Sequence, residues 1–154
     1  MEHQEKRGSY GKYTIMLGIS CVTMYAAMFL NVDSLGHIHL SATRFYMTLL
    51  MVSPMALTML WMMPHMYPSK KINWAISLAS VAVFAIALVL LRTQTPIGDR
   101  QYMKAMIPHH SSAILTSKHA QLSDPEVKDL ADQIIQSQQE EIAQMEAILD
   151  RIEN

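Results

Sequence analysis

The sequence predicts an all-α protein: three transmembrane helices followed by a two-helix soluble hairpin, completed to a four-helix bundle by pairing with a second copy. Three observations predict it. Nearly all the long apolar runs of the 154 residues fall within residues 1–91. Ten of the thirteen acidic side chains fall within 92–154, beside six basic ones, so this part is net negative. The last segment repeats its apolar residues at helical period. Two domains follow: 1–92, a membrane domain, and 93–154, a soluble hairpin.

Residues 1–12 are polar, with Lys6, Arg7 and Lys12. Residues 13–30 are uncharged, close to the ~20 needed to cross a hydrocarbon core. The length of the run and of its polar lead-in, with two further runs behind it, argues against a cleaved signal peptide. A short loop with Gly36, His37 and His39 precedes the second span, about 45–63. Pro54 near its middle is tolerated in membrane helices. A turn with Pro64, Pro68, Lys70 and Lys71 leads to the third span, about 72–91. That span is rich in small residues (Ala75, Ala79, Ala82, Ala85), which let helices approach closely.

Basic residues set the orientation. Lys6, Arg7, Lys12, Lys70 and Lys71 lie on one side, and at most Arg44, Arg92, Arg100 and Lys104 on the other. The N-terminus is therefore expected in the cytoplasm of a bacterium and residues 93–154 in the periplasm. Trp61 and Trp74 flank the Lys70/Lys71 turn as an interfacial belt would.

After the linker at 92–98, Asp99 starts a helix to about residue 121, with Pro108 inside it. Ser123, Asp124, Pro125 and Glu126 read as a helix start: a capping side chain, proline at the first helical position, then an acid. The last helix runs to about Ile152, and Gln138 and Glu141 interrupt its apolar stripe. A hairpin of about 55 residues is thin for its own core, so it is expected to pair with a second copy into a four-helix bundle or to lean on the membrane part.

Composition excludes several classes. No basic stripe serves nucleic acid. A single cysteine, Cys21, permits neither an internal disulfide nor a thiolate zinc site. Neither HExxH nor a phosphate-binding glycine loop occurs, and no enzyme is expected. Methionine is the anomaly, at 14 of 154 residues: eleven lie in 1–66, three in 103–145, and none in the third span.

Residues 103–110 read Met-Lys-Ala-Met-Ile-Pro-His-His. At 100° per residue, Met103, Met106 and His110 fall within about 60° on one helix face, with His109 about 100° away. Met145 sits on the core stripe of the following helix. Thioether and imidazole together suit Cu(I). The expected metal ligands are His109, His110, Met106, Met103 and Met145, with copper as Cu(I), or silver, as the ion. In the second span Met51, Met55, Met59, Met62 and Met66 stay within about 80° of each other, with Met47 beside them. His37, His39, Met47, Met51 and Met55 are therefore secondary metal contacts in this reading. The competing reading takes methionine as flexible packing and the hairpin as a structural or partner-docking module.

The run Met106-Ile-Pro-His-His110, with Ala113-Ile114, Leu130-Ala131, Ile134-Ile135, Gln139-Glu140-Glu141-Ile142 and Met145, resembles the bacterial family catalogued as domain of unknown function 305. The likeness covers about residues 99–152. Residues 31–66, with Arg44-Phe-Tyr-Met47, are similar to the three-span region of its membrane-anchored members. The resemblance implies a ferritin-like helical bundle, often exported, with some members tied to copper. By position it implies the same ligands, Met103, Met106, His109, His110 and Met145. The expected partners are the membrane, a second copy and a copper-handling protein.

Overall fold

The computed structural model describes residues 2–153, with side-chain surroundings from Tyr10 onward, so Lys6 and Arg7 lie outside the described side chains. The described chain is helical: α1 (Glu2–Ala27), α2 (Ala42–Met62), α3 (Lys70–Thr93), α4 (Asp99–His119) and α5 (Pro125–Glu153), with a 3-10 turn at Leu35–His37. No strand occurs among the described residues.

Local chemistry sets the boundaries. Ser69 caps α3, its side chain accepting from Ile72 N–H, and Gln94 ends that helix in the left-handed region at φ 52°. Asp124 Oδ1 accepts the Val127 N–H at 3.1 Å, and Pro125 occupies the first position of α5. This is the start that the Ser-Asp-Pro-Glu run predicts. Pro54 and Pro108 both lie inside continuous helices, α2 and α4.

Two helices, α2 and α3, are long and apolar enough to cross a membrane. The third expected span, residues 13–30, does not qualify. Its helix ends at Ala27, leaving the apolar Met28, Phe29 and Leu30 outside.

The chain divides into two compact units, and the division differs from the expected boundary at residue 92. The first unit comprises Met1–Ala27 and Phe45–Pro96. The second comprises Met28–Arg44 and Ile97–Asn154. The connection between α1 and α2 thus belongs with the C-terminal hairpin.

In the first unit, Tyr13, Ala56, Leu60 and Tyr67 are buried together, with Tyr10, Leu17, Met59 and Ile76 against them. Tyr13 donates to the Ala56 carbonyl at 2.8 Å. Tyr10 donates to Asn73 Oδ1 at 2.8 Å and accepts from Ser69 N–H at 3.1 Å. The start of α1 is thereby tied to the α2–α3 turn. Large apolar side chains point outward, Trp74 at 77% exposure and Val22 at 71%.

In the second unit, α4 and α5 pack antiparallel, since Arg100 and Lys104 reach Glu153 while His110 reaches Glu141. Ile107 and Ile114 on α4 meet Ile142 and Leu149 on α5. Each pair is seven residues apart, two turns along one face. Met103, Ile135, Met145 and Ile152 extend this core. Ile114 is 1% exposed, so Ile114→Ala should cost about 2–5 kcal/mol. Hydrogen exchange on the full chain in detergent should show faster opening of α4 and α5 amides together, while α2 and α3 keep their protection.

Candidate metal centre

On α4, Ile107 and Pro108 are buried, Met103 and Met106 are half-buried, His110 is half-buried and His109 is exposed. The apolar seam of α4 sets this order. Burying Ile107 and Ile114 turns His110 toward α5 and leaves His109 in solvent. The two imidazoles meet edge to face with ring centres 5.8 Å apart.

His110 Nδ1 lies 3.0 Å from Glu141 Oε2. The carboxylate is close enough for charge attraction but off the line of a hydrogen bond, so the buried nitrogen has no aligned partner. One turn back from His110 on α4 is Met106. One turn on from Glu141 along α5 is Met145. In an antiparallel pair that register sets Met106 and Met145 opposite each other, beside the His110–Glu141 contact.

Met103 and Met145 already pack against the isoleucine core. Among the described residues, no three His, Cys, Asp or Glu side chains gather into a metal-binding group. Glu141 stands out in the sequence as an interruption of an apolar stripe and as part of the Gln139-Glu140-Glu141-Ile142 run. A carboxylate placed where a core residue is expected is the signal that finds it.

The secondary set divides between the units. Met47 and Met51 are exposed and Met55 is half-buried on α2 of the first unit. The cavity of about 410 Å³ in that unit is lined by residues such as Leu17, Leu49, Val52, Ala56 and Ile76, and by no methionine. His37 and His39 belong to the second unit. His37 Nδ1 lies 2.8 Å from Ser111 Oγ, while His39 Nε2 is buried with no hydrogen-bond partner.

Two imidazoles of the second unit are held below the ordinary value of 6.5. Burial lowers His110 most. Glu141 pulls it back up and His109 pushes it down. Burial likewise leads for His39, against Glu146 and Glu153, which raise it, and with Lys104 and His37, which lower it. At the far end, Lys104 and Arg100 hold the exposed Glu153 carboxyl down to about 2.

A family described as domain of unknown function (DUF305) matches residues 87–150. An uncharacterized protein of Acanthamoeba polyphaga mimivirus is 39% identical over 143 residues, covering 88% of this chain and 90% of its own length. The chain belongs to the DUF305 family. No solved structure matches it. The DUF305 match runs from the end of α3 through nearly all of α5. It takes in the His110–Glu141 contact and both facing methionines, and it leaves out the 28–44 segment of the same compact unit.

A base whose pKa is lowered on folding takes up its proton first in the unfolded state, so stability is lost as pH falls. The second unit should therefore weaken as pH drops through about 6.5, the ordinary value from which His39 and His110 are lowered. Hydrogen exchange of α4 and α5 between pH 7.5 and 5.5 should show the loss, and the pair His39→Gln and His110→Gln should flatten it. An equally steep loss in that variant would assign it to other groups.

Proposed function

We propose that this chain is a membrane-anchored protein that binds a soft metal ion, Cu(I) or silver, between α4 and α5. The observation that carries the reading is the buried His110 Nδ1 without an aligned partner, in register with Met106 and Met145. An imidazole lone pair beside two thioethers is a soft donor set. Glu141 offsets the charge of a bound cation. Met103, one turn before Ile107, and His109, on the solvent side, complete the set as outer donors. The reaction class is binding and transfer of the ion, with no catalysis.

The anchor is the α2–α3 pair. Lys70 and Lys71 at its turn favour the cytoplasmic side. Both stretches of the second unit join the opposite ends of these two helices, so in this reading that unit faces the exported side. In a Gram-negative bacterium this is the periplasmic side of the inner membrane.

Val127 and Leu130, 45% and 55% exposed on the first turns of α5, suit a second hairpin that would complete a ferritin-like four-helix bundle. A copper-handling protein would receive the ion. The rival, a docking module whose methionines only pack, draws on the seating of Met103 and Met145 against the core.

Anaerobic Cu(I) titration of the full chain in detergent, against a competing chelator, separates the two. Wild type should bind stoichiometrically and the Met106→Leu, His110→Ala variant should not. Equal binding by both would leave the docking reading. Replacing Met51, Met55 and Met59 together by leucine, which roughly conserves volume, should leave Cu(I) affinity unchanged, because these side chains lie in the other unit.

A further inference from the structure

The 28–44 segment is fastened to α4 by side chains that the metal reading does not use. Asn31 Nδ2 donates to Ser112 Oγ at 2.7 Å, and Lys118 Nζ meets the Asp33 carboxylate at 2.7 and 3.0 Å. Ala42 N–H donates to Gln101 Oε1 at 2.9 Å. At the centre is Ser111, 0% exposed. Its hydroxyl oxygen accepts the Asp33 N–H at 2.7 Å and lies 2.8 Å from His37 Nδ1.

This arrangement orients the His37 ring. Nδ1 is held by a buried hydroxyl, and Nε2 faces Glu146 Oε1 on α5 at 4.0 Å. That is too long for a hydrogen bond. Between and around them is a cavity of about 280 Å³, walled by Asp33, His37, Gln139 and Glu146 over Ile114 and Ile142. In the tautomer with the proton on Nδ1, the Ser111 oxygen, which has two lone pairs, accepts from Asp33 N–H and His37 Nδ1–H together. In that tautomer Nε2 keeps its lone pair, directed at the carboxylate.

We infer that His37 and Glu146 are the protein ligands of an open, water-completed site for a borderline divalent cation of the Zn(II) and Co(II) class. Nitrogen and oxygen donors bind such an ion at about 2.0–2.2 Å, so two of them lie at most about 4.2 Å apart across it. At the tetrahedral angle the two donors stand about 3.4 Å apart, so rotation of the exposed Glu146 side chain closes the observed 4.0 Å without movement of the helices. A water takes about 30 Å³, so the cavity has room for the ion and its remaining water ligands. No thioether or thiol among the described residues lines it, which selects against Cu(I). With only two protein donors the site is exchangeable rather than structural, in keeping with the absence of a three-residue group among the described residues. Ser111 acts as a positioning residue through Nδ1, the usual arrangement of a metal-bound histidine.

The site is independent of the proposed Cu(I) centre, and the test keeps them apart. Co(II) is titrated into the full chain in detergent and followed by its visible absorption, which reports ligand number and type. One Co(II) per chain is expected. His37→Gln and Glu146→Gln should each weaken it at least tenfold, and Ser111→Ala by about tenfold. His37→Gln and Glu146→Gln should keep Cu(I) binding as wild type has it. Glu146 is 44% exposed and its amide is nearly isosteric, so that variant tests the ligand without disturbing the fold. Absence of Co(II) binding by wild type, or an unchanged spectrum and affinity in Glu146→Gln, overturns the inference. Loss of Cu(I) binding in Met106→Leu, His110→Ala with Co(II) binding intact separates this site from the other reading.

Discussion

A serine hydroxyl with no exposed surface holds the second unit together. Ser111 sits on the α4 face that looks toward the 28–44 segment, and its oxygen accepts an N–H that can only donate. Buried and unpaired, either group would cost about 1–3 kcal/mol. Paired, they fix where the segment crosses α4, and everything beside the crossing follows. Asn31 meets Ser112, Asp33 meets Lys118, and His37 is aimed across a cavity at α5. The two-helix hairpin, too small for its own core, gains a third side from a stretch of chain that sits some seventy residues earlier in the sequence.

What sequence reading recovered is local. Helix limits came from apolar period and capping chemistry, and Asp124 caps α5 as its composition dictates. The Met106/His110 face and the core position of Met145 are consequences of 100° per residue. The losses are long-range. Nothing in Asn31, Asp33 or His37 says that they belong with residue 111 rather than with the helices beside them, because a serine offers no periodic signal. The first span failed for a different reason. The run stays apolar through Leu30, but its helix stops at Ala27, so helix and apolar stretch are out of step. Glu141 was legible as a break in the stripe, while Glu146 lies off that stripe and was not.

The methionines separate into two populations by what surrounds them. Met59 packs against the tyrosine cluster and Met103 and Met145 against isoleucine, where a flexible thioether fills irregular gaps. Met47 and Met51 face outward on a helix apolar enough for a membrane. The chain therefore concentrates a soft side chain both where lipid would solvate it and where a buried imidazole lacks a partner. The second setting puts an imidazole nitrogen close to the thioethers.

The interleaving of the units also sets an order of events during synthesis. The 28–44 segment leaves the ribosome before α2 and α3, yet the hydroxyls and the lysine that receive it are not made until residues 111–118. Its contacts close a loop of about seventy to eighty residues, an entropic cost that grows only slowly with length. Until α4 appears, that segment has its anchoring groups bonded to water. A nascent chain stopped within α3 would thus carry both apolar helices and an unclasped segment, and the second unit would form last, in a single step, once α4 and α5 close over it.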